Sequence, residues 1–547
     1  MTRSMQVFAF VVCLLSDPVG VVMADSAILP PLELPDAEDR ALSRRERLWL
    51  QGVRLEGNRI LSDAQAAELL SPYLFRVVTT DELILLKDRI SLWYLERGYV
   101  TSGAYLPEQE IGTDGIVRIR VVEGRLGEVA IHGHEHLHEA FYRQRLQMDA
   151  DEILHLPELE KRLRQLRQHE LVERIQADVR PTLTQGVARV DVQVEERSPY
   201  RIRMGGNNQG APGTGVNRSV LGVVHESLLG WGDRLEGEWI HSAGVNDVMI
   251  SYQWPLPGSE SSLHARIGRS TAAVVQEPLA PLDIVSHTNS YQLVFKHRLE
   301  RNPRDELAWS LGVQHKKSRT ELLGVPFDFV RGTDQGESVV HEIDLGGEWI
   351  RRDLEQVLAL LATLRWGVPW GGASHRPDEP GSDFWAWMGQ LHWARRLPWL
   401  ESQLLLRTAM RLTSHSMLPT EKFILGGMET IRGYREGLLA RDSGLFESLE
   451  WQVPLPFTWS LPGLTAQEGD GQVSLALFED WGRNWEKDGT PPGEPGVLAS
   501  GGMGLLWGIN RHSEMALYLA APLHPVEILD KSSSDRGIHF RLTVGWP

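Results

Sequence analysis

The sequence predicts a transmembrane β-barrel of 16 antiparallel strands preceded by two small α+β modules. Three observations predict it. Helical apolar spacing stops near residue 200 and two-residue alternation takes over, the alternating stretches divide into an even number of strands, and most of the gaps are long and short by turns. An even antiparallel sheet that closes on itself leaves no unpaired edge, which a lipid surrounding demands.

At the amino terminus Arg3 precedes the apolar run MQVFAFVVCLL, followed by Pro18, Gly20 and the small-residue site VMA ending at Ala24. This is the layout of a secretory signal peptide, residues 1–24, and the expected mature chain begins at Asp25. The apolar run is too short to cross a bilayer as a helix, and no later stretch reaches the roughly 20 apolar residues that a spanning helix needs. Cys13 is the sole cysteine and falls in the segment to be removed, so the mature chain has no thiol for disulfides or cysteine metal sites. The formal net charge of -17 is unchanged by cleavage, because Arg3 and Asp17 cancel, and it argues against nucleic acid as a partner. Many tryptophans and glycines at a mean hydropathy of only -0.25 suit strands with one apolar and one polar face.

Residues 25–49 are rich in proline and charge and read as a linker, with room for a short plug segment. Two similar modules follow, 50–124 and 125–198. In the first, VRLEGN (53–58) and IVRIRVVEG (116–124) read as strands, with helical spacing over 62–75 and 80–97 between them. In the second, LGEVAIHG (126–133) and ARVDVQVEE (188–196) enclose helical stretches at 137–147 and 157–171. The order in each is strand, helix, helix, strand, which points to a duplicated module rather than one larger fold.

The barrel occupies 199–547. Its strands are expected near residues 202, 216, 233, 247, 262, 289, 305, 337, 356, 384, 399, 441, 472, 497, 512 and 537. A barrel entered from the periplasm carries its long loops after odd strands. From the fifth strand onward the odd gaps run to about 13 to 28 residues and most others to about 3 to 8, with 456–470 as a long exception on the other side. In HFRLTVGW (539–546), Phe540, Leu542, Val544 and Trp546 oppose Arg541 and Thr543, and in QLLLRTAMRL (403–412), Leu404, Leu406, Met410 and Leu412 oppose Arg407 and Arg411. A charge facing lipid at the midplane costs about 2 to 4 kcal/mol, so the arginine faces point into a wet lumen. A soluble sandwich with one polar face explains neither the loop asymmetry nor the strand count.

Two short motifs belong to this barrel. GGMETIRGYRE (426–436) lies in the long loop after the eleventh strand, where Gly426, Gly427 and Gly433 permit a tight fold around Arg432. QVSLALFEDWG (472–482) turns Val473, Leu475 and Leu477 outward and Ser474, Ala476, Phe478 and Asp480 into the lumen. A guanidinium binds a carboxylate through two parallel hydrogen bonds, so a folded-in Arg432 and a wall-mounted Asp480 are natural partners.

Together these motifs resemble those of the two-partner secretion transporters, the haemolysin secretion/activation proteins, a branch of the outer-membrane insertase superfamily. Arg432, Gly433 and Tyr434 match the family's sixth-loop motif, and Phe478, Asp480 and Gly482 match its barrel-wall motif. RGYVTSGAYLPEQEI…DGIVRIRVVEGRLGEV (97–129) is similar to the end of the family's first polypeptide-transport-associated (POTRA) domain, and PTEKFILGGMETIRGYRE resembles the approach to its sixth loop. The resemblance covers nearly all of 50–547. It departs in the short stretch before the first module, where the family often has a plug helix and long linker, and in the proline after Trp546.

The resemblance implies a monomeric outer-membrane transporter with two periplasmic POTRA domains, which secretes a partner protein of haemolysin or adhesin type by recognising its amino-terminal secretion domain. It implies neither cofactor nor catalytic residues. A barrel-assembly insertase is the alternative in the same class; an outer-membrane enzyme or a passive porin is the alternative from another. No G-x-S-x-G occurs to support an esterase. H-E-x-x-H is present as His134, Glu135 and His138, but it starts in a turn after a strand, so neither a metal site nor a protease is expected. MGGNNQGAPGTG (204–215) lacks a following helix and reads as the first barrel hairpin rather than a phosphate loop.

Overall fold

The computed structural model describes residues 47–546, apart from 147–151, 185, 303, 376–378, 466, 488–494 and 527–530. The expected signal peptide, and the linker up to residue 46, lie outside the described residues. One compact unit ends at Ser198 and the other begins at Pro199.

In the first module Gly52–Glu56 pairs in parallel with Ile116–Val122, and Gly103–Tyr105 adds antiparallel to the same sheet. Helices α1 (Asp63–Leu70) and α2 (Thr80–Glu96) both start on capping boxes, Ser62 with Gln65 and Thr79 with Glu82, each satisfying two otherwise free backbone donors. Leu83, Leu86, Ile90 and Tyr94 of α2 lie on one face and pack on Val117, Ile119 and Val121. Helical spacing persists to residue 75, yet α1 stops at Leu70. Pro72 cannot continue a helix, and the chain turns back into a strand at Arg76–Thr79 that pairs with Arg47–Leu50.

The second module contains Arg125–His132, α3 (Glu139–Leu146), α4 (Leu156–Arg167), Val172–Pro181 and Val187–Glu196, with the last strand central. The three-stranded sheet of each module thus has a strand more than the simple alternation indicates, and the first module has the two-stranded pair besides. Val172–Pro181 keeps its period only over Ile175, Ala177 and Val179, after a bulge between Val172 and Arg174, and Gly103–Tyr105 is too short to show one. The duplication extends to detail. In the first module Glu123 accepts the backbone N–H groups of Arg59 and Ile60 and the Tyr94 hydroxyl. In the second, Glu196 accepts those of Glu135, His136 and Leu137 and the Tyr142 hydroxyl. Burial first, and the adjacent carboxylate second, raise both phenols, so each remains a donor. The H-e-x-x-H residues are therefore part of this capped turn before α3, and His134 and His138 do not share a helical face.

The other unit is a closed antiparallel barrel of 16 strands. In order they are β1 (Tyr200–Asn207), β2 (Arg218–Glu226), β3 (Arg234–His241), β4 (Val245–Pro255), β5 (Ser261–Ala273), β6 (Ile284–Arg301), β7 (Asp305–Leu322) and β8 (Glu337–Arg352). Then follow β9 (Gln356–Gly367), β10 (Phe384–Arg396), β11 (Gln403–Thr413), β12 (Ser443–Thr458), β13 (Gln472–Trp485), β14 (Val497–Asn510), β15 (Ser513–Pro522) and β16 (Ile538–Trp546). β16 pairs with β1 from Arg541↔Asn207 to Trp546↔Ile202 and closes the sheet. A two-residue strand, Val325–Pro326, only folds back on β7, which itself pairs with β8.

The long connections after β5, β7, β9, β11, β13 and β15 all leave the same end, and 459–471 is the long one at the other. The loop after β5 is shorter than the sequence suggests because β6 begins at Ile284 rather than near 289. Outward-facing aromatics form two belts. Trp254, Trp309, Trp399, Trp459 and Trp546 lie toward the end where β1 begins, and Trp239, Trp366, Trp385 and Trp481 toward the long-loop end, all exposed at the two interfaces of an apolar band. The arginine faces turn inward: Arg541 and Arg407 both reach Glu429 of the loop after β11.

Candidate functional site

The loop after β11, residues 414–442, is the sixth loop at the long-loop end, and it folds into the barrel. Its limbs form a hairpin, Phe423–Leu425 with Leu439–Arg441, and the turn between them carries the glycines and Arg432. Gly426 and Gly427 adopt φ of 103° and 107°, and a Cβ on either would strike Arg435 O at 2.6 Å or the Glu436 carboxylate at 2.0 Å. Only glycine allows this fold. Gly426 N–H donates to Thr430 Oγ1 and Met428 N–H to Glu436 Oε1, so the turn is cross-braced.

Arg432 is 2% exposed. Its Nε donates to Asp480 Oδ2 and its Nη2 to Asp480 Oδ1, both at 2.8 Å, the parallel fork that planar guanidinium favours. The backbone N–H of Arg432 donates to the same Oδ2 at 2.9 Å. Nη1 reaches Glu450 Oε2 and Nη2 donates to Ser448 Oγ at 3.1 Å. Below the fork the guanidinium carbon sits 3.5 Å from the centre of the Phe478 ring, and Tyr518 flanks it at 4.8 Å.

Every residue of the two motifs has a contact that accounts for it. Phe478 is the platform, Asp480 the partner, and Gly482 the space: a Cβ there would lie 3.0 Å from Ile431 and 3.2 Å from Leu425. Gly433, at φ 89°, donates its N–H to His539 Nε2 at 2.8 Å and backs against Ala520. Tyr434 packs beside Leu425, Ile431 and Leu498, and its hydroxyl bonds to the carbonyls of Ala499 and His524 at 2.9 and 3.0 Å.

The structure brings together Arg432, Gly433, Tyr434, Phe478, Asp480 and Gly482, and adds Ser448, Glu450, Tyr518 and His539. Alternation along β12 turns Ser448 and Glu450 toward the lumen, so the signal for them was present, but nothing local marks which inward carboxylate the loop will meet. His539 and Tyr518 arrive only because β15 and β16 follow β13 and β14 around the barrel wall.

The family model for haemolysin secretion/activation protein ShlB/FhaC/HecB matches residues 186–506. The chain belongs to this family. A second model, the ShlB-type POTRA domain, matches residues 48–124, which are the first module. Similar proteins include an outer membrane transporter, CdiB, of Escherichia coli O6:K15:H31, 23% identical over 80% of this chain and 74% of that one. Another is the heme/hemopexin transporter protein HuxB of Haemophilus influenzae strain 86-028NP, 22% identical over 72% and 69%. Among solved structures, CdiB from Escherichia coli superposes with a TM-score of 0.63 at 20% identity, covering 94% of this chain and 93% of that one. BamA from Haemophilus ducreyi follows the same fold with a TM-score of 0.55 at 15% identity, over 91% and 100%.

Like its family, the chain is a two-partner secretion transporter of the outer membrane. The POTRA region lies in the periplasm, and the barrel carries a partner exoprotein outward.

Proposed function

We propose that the exported partner carries an amino-terminal secretion domain, that both periplasmic modules act as POTRA domains to capture it, and that the sixth loop, locked to the barrel wall through Arg432 and Asp480, shapes the conduit. The observation that carries this reading is the bidentate Arg432–Asp480 pair, buried inside a closed barrel. A buried ion pair is weak support for stability alone, and this one fastens a loop inside the bore of the closed barrel. Capture has a physical route: the sheet edges at Gly103–Tyr105 and Val172–Pro181 can each accept an added strand from an unfolded chain. The chain acts as a monomeric conduit rather than a catalyst, and folding of the partner outside supplies the drive.

Deletion of 50–197 tests the division of labour. The remaining barrel should still insert and migrate as a heat-modifiable band, and the partner should stop appearing in the medium. Normal export by the truncated barrel would show that recognition lies elsewhere. Loss of other outer-membrane barrels on deletion of the whole gene, with partner export intact, would favour the assembly function for which the BamA-like fold leaves room.

A further inference from the structure

Loop 6 touches the wall at a second place. Its incoming limb buries Met417 and Leu418 beside Val340, Phe384 and Ala386, and the single turn Pro419–Glu421 then carries Glu421, 2% exposed, onto a different arc of the barrel. Glu421 pairs with Lys316 of β7 and lies 3.8 Å from Arg365 of β9, while its backbone carbonyl accepts from Arg411 of β11. Arg365 also lies 3.7 Å from Glu342 and 3.5 Å from Asp344, both on β8. Glu342, Asp344 and Glu421 thus balance Lys316, Arg365 and Arg411, and the loop supplies the carboxylate that completes the balance.

The chemistry of this contact differs from that at the tip. Neither carboxylate oxygen of Asp344 hydrogen-bonds to a described residue, and neither does Nε of Arg365 or Nε and Nη2 of Arg411. Contacts of 3.5 to 3.8 Å between such groups are Coulombic and undirected, so the hydrogen bonds that Glu421 gives up on release are those from Lys316 and from Arg411. Solvent also has access, since the side chains of Lys316 and Arg365 are each 18% exposed while that of Asp480 is fully buried.

We propose that Glu421 is a positioning residue for transport: a releasable latch that holds the incoming limb of loop 6 on β7, β9 and β11 and lets go when the conduit opens, while Arg432 stays on Asp480. The proposal rests on the lumen being the conduit. Release leaves the wall cluster with one excess cation, which water entering the bore can solvate. The limb then swings about the tip anchor.

Single-channel recording of the full-length chain in planar bilayers in potassium chloride tests the latch without any exported partner. Glu421→Gln should raise the open probability on the order of tenfold, the factor that corresponds to loss of about 1.4 kcal/mol from the closed state. Lys316→Gln, which removes the partner instead, should act in the same direction, and both should keep heat-modifiable migration. An open probability equal to that of the parent in both variants overturns the proposal. A second arm uses the absence of cysteine from the expected mature chain. Leu418→Cys with Val340→Cys, oxidised in the membrane, should halt export, and reductant should restore it; export by the oxidised form overturns the latch. Failure of the recordings would remove the latch alone, whereas unimpaired export after deletion of 50–197 would remove the capture reading.

Discussion

At its tip loop 6 holds the barrel through directional hydrogen bonds to one guanidinium, whereas at its incoming limb it does so through charges that mostly make none. Both contacts are buried and both join oppositely charged groups, so charge and burial alone do not tell them apart. Hydrogen-bond satisfaction does. Arg432 loses its fork, its Glu450 and Ser448 contacts and its aromatic platform together if it leaves, while Glu421 gives up a side-chain bond from Lys316, the bond its carbonyl accepts from Arg411 and a loose Coulombic contact with Arg365. The comparison teaches that one loop can be both anchored and movable when its two attachments differ in how completely their polar atoms are paired.

The largest effect should come from Arg432→Ala, which strands Asp480 and Glu450 side by side. Losing the cation from such a cluster costs about 3 to 5 kcal/mol, and partner protein in the medium should fall close to background by immunoblot while the barrel stays in the membrane. Asp480→Ala should cost less, because Glu450 and Ser448 still hold the guanidinium. The double variant should be little worse than Arg432→Ala, giving a coupling energy in a double-mutant cycle. Losses that simply multiply would mean the two residues act independently.

Gly433→Ala comes next. It forces an alanine to φ 89° with its Cβ 3.2 Å from that of Ala520, a strain of about 1 to 3 kcal/mol. Export should drop partially, and a wild-type level would mean that the tip backbone adjusts freely. Smaller still is the thermal effect of Glu421→Gln: about 1 to 2 kcal/mol, read as a smaller fall in Tm in detergent than Arg432→Ala produces. The reverse order would dissolve the distinction between anchor and latch. Lys317→Ala should matter least. Its 2.9 Å contact with Glu337 joins side chains 44% and 33% exposed, and such a pair is worth at most about 1 kcal/mol, so Tm and export should stay near those of the parent.

The sixteen strands and the faces they turn to lipid were legible in the sequence because a strand's side chains alternate with a period of two, and lipid penalises a misplaced charge. Phe478 and Asp480 could be turned inward on that ground alone, and the tip glycines marked a turn that other residues cannot make. The strand Val172–Pro181 escaped because its alternating run, Ile175 to Val179, is short and starts only after a bulge. Which inward residues meet was a matter for the tertiary structure. Glu450, Tyr518 and His539 reach Arg432 or its neighbours from three different strands, and Glu421 finds Lys316, Arg365 and Arg411 on three others. Local periodicity specifies a face but not the neighbour across a lumen; that depends on barrel closure and on how a long loop folds back, which are set by contacts far apart in the chain.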